Sequence, residues 1–143
     1  MKISTKGRYA LRMMVDLAQN REKGFIPLKE ISERQGVSKK YLEQIIPAFH
    51  SSGLLQAGRG FQGGYRLAKA PGAITVGEIL RQTEGSLAPV PCLELDPVGC
   101  ERRDVCATLF VWQGLNDAIQ TYLDSVTLQD ILDRQGETID YVI

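Results

Sequence analysis

No stretch of the chain approaches the roughly 18 to 20 uninterrupted apolar residues that cross a bilayer, and Met1-Lys2-Ile3-Ser4 runs into a charged, periodic segment instead of a secretory leader. The expectation is a soluble, cytoplasmic protein with no membrane partner. Histidine and tryptophan occur once each, cysteine three times, and no two cysteines are spaced as CxxC. That scarcity argues against catalysis. A thiol oxidoreductase needs a low-pKa cysteine beside a resolving one, and a His/Cys nucleophile would have to be built on His50 alone. The odd cysteine count, Cys92, Cys100 and Cys106 inside one short window, suits a disulfide framework poorly and a metal or redox site better. The chain reads as a non-enzyme.

Net charge is also missing, with 17 Lys and Arg against 17 Asp and Glu, but the balance conceals a division. Residues 1–70 hold 13 basic against 5 acidic side chains, a net of +8, whereas residues 71–143 hold 4 against 12, a net of −8. A basic face followed by an acidic remainder points to an anionic partner for the first half, of which nucleic acid is the commonest. At 143 residues and 43% hydrophobic content, one domain with a real core is expected.

Residues 5–19 carry Tyr9, Leu11, Met13, Met14, Leu17 and Ala18 on a helical stripe, with Ser4 or Thr5 as N-cap. Pro27 and Gly36 bracket a second, short helix over residues 28–35 that buries Leu28 and Ile31. Ser38 caps a third, in which Tyr41, Leu42, Ile45 and Ile46 share a side; Pro47 should kink it before it resumes to Ser52 and stops at Gly53. Apolar residues either side of Gly58-Arg59-Gly60-Phe61-Gln62-Gly63-Gly64 suggest a β-hairpin with a glycine-rich tip. Thr75-Val76-Gly77-Glu78 matches a capping box opening a helix to about Glu84. Residues 85–104 read as an irregular ordered loop. A long helix over residues 106–126 spaces Trp112, Leu115, Ile119, Tyr122 and Val126 by threes and fours, and Thr127 caps a last short helix through Arg134.

Two short helices around Gly36-Val37-Ser38, followed by a glycine-tipped hairpin, assemble into a winged helix-turn-helix. The fold expected is mainly α with a small β-hairpin and a long C-terminal helix. The second helix of the motif offers Ser38, Lys39, Lys40, Tyr41, Glu43 and Gln44 to a major groove of double-stranded DNA. Lys39 and Lys40 suit phosphates, Gln44 suits adenine, Glu43 can accept from cytosine N4, and Arg59 at the hairpin tip could enter a minor groove. On their own, the thiolates of Cys92, Cys100 and Cys106 suit an iron-sulphur cluster, zinc or copper(I), and they leave a fourth ligand unfilled.

Lys2-Ile3-Ser4-Thr5-Lys6-Gly7-Arg8-Tyr9-Ala10-Leu11, Tyr41-Leu42-Glu43-Gln44-Ile45, Gly53-Leu54-Leu55, Arg59-Gly60 and Gly63-Gly64-Tyr65-Arg66-Leu67-Ala68 closely resemble the IscR/NsrR-type winged-helix iron-sulphur transcription regulators, nearest the IscR branch. With the cysteine trio, the resemblance spans about residues 1–135. It implies a homodimeric regulator, a repressor in the first instance, paired through its long C-terminal helices. It also implies Cys92, Cys100 and Cys106 as ligands of a cluster, 2Fe-2S or alternatively 4Fe-4S, and iron-sulphur assembly genes as targets. The division it suggests is a DNA-binding unit at 1–84, a cluster loop at 85–106, and a dimerisation helix with tail at 107–143. The fourth ligand departs from the pattern, because Leu109 stands where relatives place a histidine and Arg8 where others place an aspartate. Glu43 is the first candidate to replace it, His50 the second, with Glu101 and Asp104 behind. The alternatives are a nitric-oxide or iron-responsive regulator of the same fold, or a cluster-free regulator controlled by a protein partner.

Overall fold

Ser4 sits in extended conformation and accepts a 3.0 Å hydrogen bond from the Gly7 amide, which satisfies one of the unpaired donors at the start of helix α1 (Thr5–Gln19). From that cap the stripe of Ala10, Met13, Met14, Leu17 and Ala18 turns inward, and all five are buried. The computed structural model describes residues 2–60, 63–95 and 100–142, with side chains as far as residue 136.

Helix α1 is the axis around which the rest is built. Helices α2 (Leu28–Gln35) and α3 (Lys39–Ile45) cross one side of it through Ile31, Val37, Leu42 and Ile45. Gly36 makes the turn between them at φ 65°, left-handed backbone that a side chain would strain. Strands β1 (Leu55–Gly58) and β2 (Gly64–Leu67) form an antiparallel hairpin with Leu55 opposite Leu67 and Ala57 opposite Tyr65. Helix α4 (Val76–Glu84) packs its Ile79 into the main core and Leu80 into a smaller one shared with Val76 and Leu87. It opens with the expected capping box, Thr75 Oγ1 accepting from the Glu78 amide at 3.1 Å while Glu78 accepts from the Thr75 amide at 3.3 Å. Helix α5 (Leu109–Ser125) lies against α4 without burying any residue of its own. Helix α6 (Leu128–Val142) returns to α1, where Leu128 joins the main core and Ile131 and Leu132 pack against it.

Three stretches differ from the sequence expectation. After Pro47 the chain makes only a 3₁₀ turn, Ile46–Phe49, because the missing proline amide removes a helical bond just where α3 would continue. Helix α5 starts at Leu109 instead of residue 106, since residues 100–105 form a run of turns held by bonds such as the Val105 amide to the Arg102 carbonyl at 3.0 Å. The last helix continues past Arg134 to Val142, opened by a reciprocal pair in which Asp130 and Thr127 bond each other's amides at 2.9 and 3.1 Å. Gly136 inside it costs about 1 kcal/mol relative to alanine, and the residues that pack this helix on the core, Leu128, Ile131 and Leu132, all precede it.

Candidate nucleic-acid interface and cysteine loop

Ser38 accepts from the Tyr41 amide at 3.1 Å and so starts α3 where the sequence places it. Leu42 and Ile45 anchor that helix in the core, which leaves Ser38, Lys39, Lys40, Glu43 and Gln44 exposed together on its outer surface. Tyr41 is half-buried and meets the edge of Tyr9 with ring centroids 5.5 Å apart at 79°. Lys39 and Glu43 pair one turn apart at 3.8 Å. Such an exposed pair is worth only about 0.3–0.5 kcal/mol, so either side chain is free to exchange it for another partner.

The helix-turn-helix is braced by a group that the sequence reading does not single out. Asp16, on α1, is wholly buried and accepts from Arg34 Nε at 3.0 Å, Arg34 Nη2 at 2.8 Å and Gln35 Nε2 at 2.9 Å. That bonding holds the Arg34 guanidinium above its ordinary value, chiefly through the hydrogen bond to Asp16. Arg12 completes the brace by donating to the Gln35 carbonyl while lying 5.3 Å from the Tyr9 ring centre. The only signal of it in the sequence is one acidic residue inside the apolar stripe Met13, Met14, Leu17.

The wing projects Arg59 into solvent at the end of β1. The neighbouring Phe61 and Gln62 lie outside the described residues. At its root, Ile26 and Tyr65 exchange backbone bonds of 2.8 and 2.9 Å. Gly64 comes so close to Ile26 that a Cβ would stand 2.2 Å from its carbonyl oxygen, and its φ of 148° independently disfavours any side chain.

Cys92 lies in a 3₁₀ turn, Pro91–Leu93, and Cys106 in the turn before α5; with Cys100 they are three free, half-exposed thiols. Cys106 Sγ lies 3.6 Å from Thr108 Oγ1. This hydrogen bond, with help from the Thr108 backbone and the Arg102 charge, lowers the Cys106 thiol below its ordinary value. Among the described residues no three His, Cys, Asp or Glu side chains stand close enough together to hold a metal ion. Glu101 and Asp104 are exposed in the same loop, His50 is exposed after the 3₁₀ turn, and Glu43 faces outward from α3. Leu109 begins α5, and Arg8 donates to Thr5 at 3.2 Å.

A family model, Rrf2, iron-dependent transcriptional regulator, matches residues 3–134. The chain belongs to the Rrf2 family. It is 39% identical over 140 residues to the HTH-type transcriptional regulator IscR of Enterobacter sp. (strain 638), covering 98% of this chain and 84% of that one. Among solved structures it is similar to CymR, the global cysteine regulator of B. subtilis, at a TM-score of 0.78 and 40% identity over 94% of this chain and 98% of the other. It is similar to T. potens IscR at the same TM-score of 0.78, with 42% identity over 96% and 90% of the two chains. The expectations of a winged-helix fold and of a regulator instead of an enzyme are therefore met.

Within this Rrf2 chain α5 exposes several large apolar side chains. Phe110 is 74% exposed, Tyr122 67% and Leu115 43%, and Val111 and Trp112 lie beside them. Trp112, Leu115 and Tyr122, three members of the stripe read from the sequence, thus remain exposed among the described residues. The end of α5 is fastened to α4 by Leu123, which packs on the small core of Val76, Leu80 and Leu87, and by Arg81, which donates to both oxygens of Asp124, at 2.7 and 2.9 Å, and to Gln120 at 2.6 Å. The bond to Arg81 holds the Asp124 carboxyl below its ordinary value, against a small opposing effect of burial.

Proposed function

We propose that this Rrf2 regulator is a homodimeric repressor whose DNA binding responds to an iron-sulphur cluster held by Cys92, Cys100 and Cys106. The observation that carries the reading is the placement of three unbridged, half-exposed thiols on the single loop that leads into the uncovered face of α5. The donor set suits the group, since thiolates are the usual ligands of iron-sulphur clusters and the Thr108 hydrogen bond shifts the Cys106 thiol toward that form. When bound, a cluster supplies a redox-active centre that can be lost or oxidised. A 2Fe-2S cluster is the first choice and 4Fe-4S the alternative. Glu43 is proposed as the fourth ligand, brought by the second subunit, because the weak Lys39 pair leaves its carboxylate exchangeable. His50 comes next, then Glu101 or Asp104.

The remaining parts have assigned roles in this reading. Residues 1–84 bind double-stranded DNA: Ser38, Tyr41 and Gln44 face the major groove, Lys39 and Lys40 take phosphates, and Arg59 enters the minor groove. Residues 85–106 sense, and α5 within 107–143 pairs the two copies through Trp112, Leu115 and Tyr122. Holo and apo protein must differ in preferred arrangement for occupancy of the loop to change DNA affinity. Genes of iron-sulphur assembly are the proposed targets, and the regulator acts in the cytoplasm.

A second reading has a specific observation behind it. The described cysteines are not gathered to coordinating distance, and the likeness to CymR equals that to IscR in TM-score. A cluster-free regulator controlled by a protein partner, or one answering nitric oxide or iron, fits the same fold. Iron, zinc and acid-labile sulphide analysis with a visible spectrum, on protein purified without oxygen, separates the two. Stoichiometric iron and sulphide that vanish on Cys92→Ala, Cys100→Ala or Cys106→Ala support the cluster, and their absence from every preparation supports the cluster-free regulator. Glu43→Gln should shift the absorption bands; unchanged bands and stability would remove Glu43 as ligand.

A further inference from the structure

Phe25 belongs neither to the helix-turn-helix nor to the hairpin, yet both strands of the wing rest on its ring. Gly58, the last residue of β1 and the neighbour of Arg59, approaches so closely that a Cβ there would stand 2.7 Å from Phe25 Cγ and 2.8 Å from Cδ1. From β2, Arg66 lays its guanidinium carbon 4.3 Å from the ring centre, and its Nε donates to Gln56 Oε1 on β1 at 2.8 Å. The residue after Phe25 is Ile26, which bonds Tyr65 through the backbone on both sides. The ring itself is half-buried and stands outside both hydrophobic cores. Its described contacts are thus with the wing, at the point where the chain turns out toward Arg59.

We infer that Phe25 is a positioning residue for DNA recognition: its ring, floored by Gly58 and covered by Arg66, fixes the direction in which Arg59 leaves the wing. A guanidinium that must enter a groove loses less freedom on binding when the backbone carrying it is already held. Glycine is needed at position 58 for space, because any side chain would displace the ring. The inference rests on the reading that Arg59 contacts DNA, and the test is arranged so that the two fail differently.

The probe is a duplex selected by the unmodified full-length protein from a randomised pool, with affinity measured at several salt concentrations. Arg59→Ala, Phe25→Ala and the double variant form a cycle, with thermal unfolding run on each to confirm that it folds. Phe25→Ala is expected to weaken binding about tenfold in the presence of Arg59 and less than about twofold in its absence, because one residue acts through the other. It should also lower the salt slope by about one, as loss of the Arg59 contact does. Phe25→Tyr, which keeps the ring, should bind within about twofold of the parent, and Gly58→Ala should repeat the Phe25→Ala losses from the opposite side of the contact. Independent, multiplying effects of Phe25→Ala and Arg59→Ala, or an unchanged salt slope in Phe25→Ala and Gly58→Ala, would overturn the inference. No effect of Arg59→Ala alone removes the underlying contact and the inference with it, a pattern distinct from multiplying losses.

Discussion

Arg34→Ala should cost this protein more stability than Asp16→Ala, although the two side chains share one interaction. Asp16 is 0% exposed, whereas the Arg34 side chain retains 32% of its surface. Removing Arg34 leaves a buried carboxylate with the Gln35 amide and no counter-charge. Breaking a buried pair in this way costs about 3–5 kcal/mol, and entry of water where the guanidinium stood brings the expected loss to about 3 kcal/mol. Removing Asp16 instead lets Arg34 turn into solvent, so the loss is the charge-assisted bonds and a small void, about 2 kcal/mol. The double variant should lie near Asp16→Ala, well short of the sum, because the cost in Arg34→Ala resides in the stranded carboxylate. Urea unfolding at fixed protein concentration reads this directly. With a slope of about 1–3 kcal/mol/M, a loss of 3 kcal/mol moves the midpoint by about 1–3 M. A loss for Arg34→Ala below about 0.5 kcal/mol, or smaller than that for Asp16→Ala, would refute the claim that a desolvated carboxylate anchors α2 to α1.

Gly64→Ala combines an unfavourable φ with a 2.2 Å approach to the Ile26 carbonyl oxygen, so the wing root should open. A loss of at least about 2 kcal/mol with faster amide exchange at Ile26 and Tyr65 is expected; unchanged exchange would contradict it. Asp124 is held below its ordinary value by Arg81, so the stabilisation is present above the unfolded carboxylate range and fades as pH falls below about 4. Both partners are a third or more exposed, which limits the effect to about 0.5–1 kcal/mol; Asp124→Asn should abolish that part of the pH dependence, as unfolding at pH 7 and pH 3 will show. Lys39→Ala should weaken DNA binding across all sequences and lower the salt slope by about one, and an unaltered slope would remove Lys39 from the phosphate contacts. Leu115→Arg should lower the sedimentation coefficient toward that of a single chain if α5 pairs two copies, while unchanged mass would place the dimer elsewhere.

Features set by local chemistry are legible in the amino-acid sequence itself. Pro27 and Gly36 bound α2, Ser38 caps α3, and Thr75 with Glu78 opens α4, because each signal lies within a few residues of its effect. The outward face of Ser38, Lys39, Lys40, Glu43 and Gln44 follows from burial of Leu42 and Ile45 on the other side of a seven-residue helix. What the sequence hides depends on distant partners. Asp16 looks like an interruption of an apolar stripe until Arg34, eighteen residues on, reaches it. Phe25 reads as a hydrophobic residue in a turn until Arg66 and Gly58 close around it. The extent of α6 is hidden for another reason, since its own Gly136 argues locally for an earlier end than Val142.

The cysteine loop leaves from the end of α4, and α5 brings the chain back to the start of that helix. The amide of Val76 bonds the Val126 carbonyl at 2.8 Å, and the amide of Leu128 bonds the Ile74 carbonyl at 3.0 Å. The α5–α6 junction is therefore tied by two backbone bonds to Ile74 and Val76, at the start of α4, while the cysteine loop departs from the far end of the same helix, after Glu84. Leu123 and the Arg81 to Asp124 pair attach the end of α5 to α4 as well, so the junction is held by backbone, apolar and charged contacts together. The start of α4 is packed on α1 through Ile74, and α1 carries the Tyr9 edge against Tyr41. A break at the two backbone bonds would therefore open the main core itself, since Ile74 and Leu128, which flank them, are both wholly buried in it.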